Sequence, residues 1–440
     1  MLKWLKVHRF RHVKPGTELA FNERFNVLLG RNGTGKTTLL DLISMVVRSD
    51  FSGLREEEFD LEFELQHEEG TIRVGVANAL AADDGANSSG ARVREGRRPS
   101  PEYSAHLFAT LTLLHLDPPE SFEIEVEHST RRWRSGTGGW RTGGPTDIFR
   151  PGVFSALTRG LNYARRGERE AMEVLIDSYL QGRSAFRFDE SLGAYDSIIR
   201  AAHRDHDRPA EDSRVRAEVH FKSVRDGVET SKIASSNFMP MVDGIAEPEH
   251  GQTSATVSLD ASRLRKFPDA VGLREITMSV SVEGSYSDEL GLWWQFSGLD
   301  FLFTEPGGSS FSHHALSYGQ KRLLAFLYYL DANHRYVIAD ELVNGMHHDW
   351  IRFCLDEMSG LDLAAQAFLT SQNPLLLDYI PIGSAEEAQR SFIQCRSEVI
   401  DGHSRFVWSN LSADDARELF ADHQVGIQHL GELLRVRGLW

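Results

Sequence analysis

Cysteine is nearly absent from this chain of 440 residues. Cys354 and Cys395 are the two it has, which excludes a disulfide framework and a four-cysteine zinc site. Long apolar runs are missing as well. No stretch reaches the roughly 18 consecutive apolar residues that suggest a membrane-crossing helix. The first residues, Met1-Leu2-Lys3-Trp4-Leu5-Lys6-Val7, alternate where a secretory leader carries an apolar block. The expectation is a soluble, cytoplasmic protein with no membrane partner. Basic charge is in deficit: Lys and Arg number 48 against 64 Asp and Glu, for a net charge of −16. A protein that coats nucleic acid through its phosphates needs the opposite balance, and so does one that rests on an anionic membrane. A local basic groove stays open. Neither a fixed-period repeat nor sustained heptads occur.

What is present suits a globular protein. Hydrophobic residues make up 41% and charged residues 25%, enough for a buried core, and the length predicts two or three structural units. Alternation predicts a strand over 2–8, and an apolar run predicts a buried strand over 24–29. A helix is expected over 36–48, then a hairpin of 59–66 and 71–78 turning at His67-Glu68-Glu69-Gly70. The small and polar residues 81–101 read as a loop. Strands are expected near 105–116, 121–127, 216–222, 254–259, 273–284 and 290–304. The stretch 153–203 has a mostly helical pattern, and 204–213 a polar linker. From 315 the order is helix, strand, helix, strand. A strand pair near 391–408 follows, then helices after Ser412 as N-cap.

The clearest motif is Gly30-Arg31-Asn32-Gly33-Thr34-Gly35-Lys36-Thr37. It matches G-x-x-x-x-G-K-[ST] in full and stands between an apolar strand and a helix, the context that such a phosphate-binding loop requires. Glycines let backbone N–H groups wrap a phosphate, and the helix N-terminus adds its positive end. In this reading Asn32, Gly33 and Gly35 lend the loop, and Lys36 meets the β- and γ-phosphates. Thr37 holds Mg²⁺ through its hydroxyl, and Thr38 bonds the α-phosphate. The nucleotide is expected to be ATP.

Two further motifs lie far downstream. Tyr336-Val337-Ile338-Ala339-Asp340-Glu341 is an apolar strand ending in two carboxylates. Asp340 is placed to hold Mg²⁺, and Glu341 to polarise an attacking water. Upstream of it, Leu316-Ser317-Tyr318-Gly319-Gln320 opens an apolar helix with a second anion-binding turn.

Together these segments resemble ABC-type ATPases. Leu316–Gln320 is similar to their LSxGQ signature at every defining position. Asp340-Glu341 with Asn344-Gly345-Met346-His347 resembles the D-E-x-x-N-G-x-H segment of the RecF/SMC/OLD branch. Thr370-Ser371-Gln372-Asn373-Pro374 sits where that branch carries its switch histidine, with Gln372 in its place. The resemblance covers about residues 1–48 and 315–380. It implies an α/β P-loop NTPase fold: an ABC-type ATPase head with a mixed sheet core, an antiparallel β subdomain and an α/β insertion. The expected segments are an N-terminal lobe over 1–145, an inserted helical and β region over 146–300, and a C-terminal lobe over 301–440. It also implies a homodimer, or a higher homo-oligomer, formed as an ATP sandwich. Lys36, Thr37, Asp340 and Glu341 of one subunit would face Ser317, Gly319 and Gln320 of the other.

Glutamine donates a hydrogen bond to a γ-phosphate but carries no charge. Slow hydrolysis is therefore expected, with ATP acting mainly as a dimer clamp. Gln66 is the nearest candidate for the family's Mg²⁺-sensing glutamine, against the plainer reading of a solvated hairpin end. His203-Arg204-Asp205-His206-Asp207 has metal-ligand chemistry but reads as solvated linker. Of the pairs His313-His314 and His347-His348, only His347 falls in a family motif. Arg131-Arg132-Trp133-Arg134 with Trp140-Arg141 suits either DNA or a protein interface.

No nuclease constellation is visible. The chain resembles stand-alone ATPase subunits of bacterial antiphage defence systems of the Septu, retron-associated or PARIS type. That implies a separate effector protein, a nuclease or a toxin. A RecF-like repair ATPase acting on DNA, or an ATP-binding scaffold with little turnover, are the alternatives. The long separation of Lys36 from Ser317 argues against a transporter subunit.

Overall fold

The structure is a computed structural model. It describes residues 1–67, 70–80, 103–113, 120–127, 130–135, 138–143, 173, 187–188, 198–203, 214–225, 228–233, 242–246, 248–249, 251–259, 261–288, 291–332, 335–360, 365–425 and 429–438. The expected loop over 81–101 and linker over 204–213 lie outside them. By its contacts the chain divides into two units, Met1–Ala185 with Pro381–Trp440, and Phe186–Ile380.

The first unit holds an eight-stranded antiparallel sheet among its described residues. Its spatial order is Thr17–Ala20, Leu2–Phe10, Phe59–Gln66, Gly70–Leu80, Tyr103–Leu113, Glu120–Glu127, Thr130–Ser135 and Arg141–Gly143. Period-two alternation builds it: Phe59, Leu61, Phe63 and Leu65 are buried while the residues between them are not. Beside it, Phe25–Leu29 is buried at every position. It runs parallel to Phe392–Ile400, which returns antiparallel as His403–Asn410. That hairpin turns at Asp401-Gly402, with φ of 52° and 78°. Two positive values are what a two-residue type I′ turn requires. The Asn410 amide extends the pairing, accepting from Ala20 N and donating to Ala20 O, both at 2.8 Å.

The helix Lys36–Arg48 follows Phe25–Leu29 and buries Leu39, Leu40, Leu42, Ile43, Val46 and Val47. Burial of each such side chain contributes about 1.5–3 kcal/mol, so this helix is held by its face and not by its ends. Ser412 caps the helix Ala413–Val425 as expected, its Oγ accepting from Asp415 N at 3.0 Å.

The second unit contains three parallel strands, Arg187–Phe188, Tyr336–Ala339 and Gln366–Thr370. The helix Tyr318–Ala332 is buried from Leu323 to Leu330 without interruption, the pattern of a helix inside a core and not on its surface. Tyr329 Oη ties it to the middle strand by accepting from Ile338 N at 2.9 Å. Helix His348–Ser359 follows. Here Trp350 Nε1 donates to Ala270 O at 3.0 Å.

A second sheet of this unit closes on itself. Ile198–His203, Arg214–Arg225, Val242–Ala246, Ser254–Leu259, Glu275–Asp288 and Gly291–Thr304 pair antiparallel in that order. Gly291–Thr304 then pairs back to Ile198–His203. An even number of antiparallel strands closes without a mismatch in direction. The helical expectation for 153–203 is corrected at its end: Ile198–His203 is a strand. A short apolar run does not distinguish strand from helix by period, and two flanking strands decide it. The remainder of that stretch, apart from Glu173 and Arg187–Phe188, lies outside the described residues, as do Arg204 to Asp207.

Phe63 is fully buried and lies 6.4 Å from the Phe51 ring, which also stacks on Phe59. Phe63→Ala is expected to destabilise the first unit by about 3–5 kcal/mol. A lowered midpoint of urea unfolding, followed by tryptophan fluorescence, checks this.

Candidate functional site

The loop Gly30–Thr38 connects the buried strand Phe25–Leu29 to the helix Lys36–Arg48. Three of its glycines sit where other residues do not. Gly30, Gly33 and Gly35 have φ of 149°, 80° and 84°. A Cβ on Gly30 would lie 2.2 Å from Cys395 O, and one on Gly35 would lie 2.7 Å from the Phe406 ring. The loop is thus pressed against the hairpin of Phe392–Ile400 and His403–Asn410. Trp408 adds to that support, its Nε1 donating to Thr34 O at 3.4 Å and its ring stacking on Phe406.

Inside the loop, Lys36 Nζ donates to Gly30 O at 2.8 Å and to Arg31 O at 3.1 Å. Thr34 Oγ1 donates to Arg31 O at 2.7 Å. Lys36 is buried, whereas Asn32, Gly33 and Thr37 are exposed and Thr38 is half-buried. The helix begins at Gly35 with no side-chain cap and no acidic residue in its first turn. Its N-terminal donors and dipole thus have no carboxylate within their own first turn. Burial pushes the Cys395 thiol up to about 12, with Lys36 opposing, so this cysteine stays neutral.

In the second unit, Asp340 and Glu341 end the buried strand Tyr336–Ala339. Thr370 bridges them: its Oγ1 donates to Asp340 Oδ1 at 2.5 Å and accepts from Glu341 N at 2.8 Å. Glu341 has φ of 50°, a left-handed conformation that costs a side-chain-bearing residue roughly 1–2 kcal/mol. Gln372 grips the Glu341 carboxylate twice, from its backbone N to Oε2 and from Nε2 to Oε1, each at 3.1 Å. The switch-position residue and the candidate base are thus in contact. Arg322, 5% exposed, bonds the backbone of this turn from the helix behind. Burial pushes its guanidinium below the usual arginine value, and Glu341 and Asp340 oppose that.

Ser317 and Gln320 form a reciprocal cap. Gln320 Oε1 accepts from Ser317 N at 2.9 Å, and Ser317 Oγ accepts from Gln320 N at 3.4 Å. Gly319 leaves no room for a Cβ, which would meet Gly345 O at 2.5 Å, and Gly345, at φ 73°, lies under the Tyr318 ring. The signature turn therefore packs on the loop that follows the two carboxylates. His347 is exposed and caps the helix His348–Ser359. His313 Nδ1 lies 2.7 Å from Asp300 Oδ1. Gln66 ends its strand with backbone bonds to Met1.

Site by site, the geometry groups Asn32, Gly33, Gly35, Lys36, Thr37 and Thr38 in one loop of the first unit. It groups Asp340, Glu341 and Gln372 at one strand end of the second, and Ser317, Gly319 and Gln320 in a turn against the same loop. The sequence reading missed Thr370, Arg322, Phe406 and Trp408. Arg322 had a signal: it opens a run of eight apolar residues, Leu323 to Leu330, where a charge needs a dedicated partner.

The family model described as "AAA domain" matches residues 5–101. Its match includes the whole phosphate loop, the helix behind it and the strands that flank it. Among solved structures, the chain is similar to the SMC head domain from Thermotoga maritima. Identity is 10%, coverage 93% of this chain and 99% of that one, and the TM-score 0.35. An SmcHead bound to the C-winged helix domain of ScpA matches at 12% identity over 94% and 98%, with a TM-score of 0.34. The Smc head domain with an extended coiled coil, bound to the C-terminal domain of ScpA derived from Pyrococcus furiosus, matches at 12% over 96% and 99%, with a TM-score of 0.35. No curated protein matches the chain. The fold is α/β, a P-loop ATPase fold of mixed and antiparallel sheets. No described helix is long and apolar enough to cross a membrane.

Gly35→Ala joins an unfavourable φ to a clash with Phe406. It is expected to weaken ATP binding by about two orders of magnitude, because a 1 Å displacement of a positioned group has effects of that size. Titration with a fluorescent ATP analogue measures it, and near-native affinity would contradict the cradle geometry.

Proposed function

We propose that this protein binds ATP with Mg²⁺ and hydrolyses it slowly. Association of two copies around the nucleotide would switch a separate effector protein, as in antiphage defence. The observation that carries the ATPase reading is the glycine cradle of the AAA-type domain. Its close approaches exclude any Cβ at Gly30 and Gly35, and its buried lysine is held inside the loop by the carbonyls of Gly30 and Arg31. Thr37 in the first unit and Asp340 in the second are each oxygen donors of the kind that suits Mg²⁺, a hard cation, the roles that the resemblance implies for them. When bound, Mg²⁺ neutralises phosphate charge and favours displacement.

The rest is work for the chain's own residues. Gly33, Gly35 and the helix N-terminus present N–H groups to the phosphates. Lys36 leaves Gly30 O and Arg31 O for the β- and γ-phosphate oxygens. Glu341 accepts a proton from the attacking water. In the present arrangement both Glu341 oxygens already accept from Gln372. An attacking water must therefore compete with Gln372 for this carboxylate, which agrees with slow turnover. Ser317 and Gly319 would complete the site from a second copy, as the resemblance to the RecF/SMC/OLD branch implies.

A protein partner fits the surface better than a DNA duplex does. The Arg and Trp cluster at the end of the large sheet already spends its charge: Arg132 is 2.6 Å from Glu125 and Arg134 is 2.7 Å from Glu123. Both guanidinium groups also face the Trp140 ring. Phosphates would have to displace these pairs.

Glu341→Gln removes the base and keeps the shape. It is expected to accumulate an ATP-bound dimer, read by light scattering on a sizing column. A variant that binds ATP and stays monomeric contradicts the switch. Gln372→His is expected to raise the turnover number, and an unchanged value would count against Gln372 as the switch position.

A further inference from the structure

Arg322 takes no part in the chemistry above, yet it is the most deeply placed cation of the second unit's site. It is the fifth residue of the helix Tyr318–Ala332, 5% exposed, ahead of the buried run Leu323 to Leu330. Its partners are specific. Nε donates to Leu342 O at 2.7 Å, and Nη2 donates to Glu341 O and, at 3.3 Å, to Asp340 O. Nη1 donates to Tyr318 Oη at 3.1 Å. One face of the guanidinium lies over the Phe188 ring, with Cζ 5.6 Å from its centre.

Three successive carbonyls therefore converge on a single planar fork. They belong to the residues that carry the two site carboxylates and the one that follows. Carbonyl oxygens turned toward one point repel one another, a cation between them offsets that repulsion, and this gathering coincides with the left-handed Glu341 at φ 50°. Lysine is no substitute. Its ammonium is a point charge with three donors, whereas arginine spreads five donors in a fixed plane. The fourth partner, Tyr318, stands between Ser317 and Gly319 and covers Gly345. One side chain thus touches both the signature turn and the backbone that aims Glu341.

We propose that Arg322 is a positioning residue. It holds the Asp340–Leu342 turn in the conformation that aims the Glu341 carboxylate, and through Tyr318 it ties that aim to the Ser317–Gly319 turn. The inference rests on the reading of Glu341 as the base. Its consequence is mechanical: a load placed on the signature turn by a second copy's nucleotide reaches Glu341 of the same chain. Thr370 and Gln372 hold the amide and the carboxylate of Glu341, while Arg322 holds the carbonyls. Loss of Arg322 therefore leaves Glu341 present but misdirected.

The test uses the full chain with Arg322→Ala, Arg322→Lys and Tyr318→Phe. Three readouts are taken: affinity for a fluorescent ATP analogue, ATP turnover, and amide hydrogen exchange of the nucleotide-free protein. Affinity is expected to stay within about threefold of wild type, since Lys36 and its loop bind the phosphates. Turnover is expected to fall about a hundredfold in both Arg322 variants, the scale of a 1 Å misplacement, and by a smaller factor in Tyr318→Phe. Exchange is expected to rise in the segment 340–346 and not in the strand 366–370. Added guanidinium, and not ammonium, should restore part of the turnover of Arg322→Ala. Wild-type turnover in Arg322→Lys with unchanged exchange at 340–346 overturns the proposal. So does faster exchange throughout the second unit, which would make Arg322 a packing residue. Full turnover in Glu341→Gln would instead overturn the reading of Glu341 as base. The exchange result at 340–346 would then still decide whether Arg322 holds the turn.

Discussion

Close backbone approach, with no Cβ between, is the constraint on which the candidate site of each unit depends. In the first unit Gly30 rests against Cys395 O and Gly35 against the Phe406 ring. In the second, Gly319 rests against Gly345 O and Gly345 against the Tyr318 ring. Each contact fixes a loop whose N–H groups or carboxylates must be held still to act on a phosphate. The glycines are conformational necessities at these points. They also couple each loop to a rigid neighbour, a hairpin in one unit and a helix in the other.

The second unit shows how strain is held in place. Glu341 adopts a left-handed backbone that a glutamate disfavours. Four neighbours hold it: Thr370 at its amide, Arg322 and Asn344 N at its carbonyl, and Gln372 at its carboxylate. A glutamine here does what a histidine would do as a donor, but without a charge that titrates near neutrality. The carboxylate is held by two neutral donors, the backbone N–H and the side-chain Nε2 of Gln372.

Much of this could be read from the amino acids. The phosphate loop, the acidic strand end and the signature turn are local patterns, and local patterns survive without knowledge of the fold. The helix Lys36–Arg48 falls on its expected residues, and the hairpin Phe59–Gln66 with Gly70–Leu80 within two residues of them. What was not legible depends on distant partners. Ile198–His203 carries a short apolar run without a decisive period, and its two flanking strands make it a strand. Phe406 and Trp408 look like ordinary strand aromatics until the hairpin lays them under Thr34 and Gly35. Arg132 and Arg134 look like a phosphate platform until Glu125 and Glu123 are seen opposite them.

The central claim is that one nucleotide is shared by the phosphate loop of one copy and the signature turn of another. Mixing two inactive variants tests it most directly. Lys36→Ala lacks the loop's cation, and Ser317→Arg lacks a usable turn, so each alone should hydrolyse no ATP. A mixed dimer would rebuild one intact site, from the loop of the Ser317→Arg chain and the turn of the Lys36→Ala chain. Turnover is expected to return on mixing. A mixture no more active than either variant alone would contradict it.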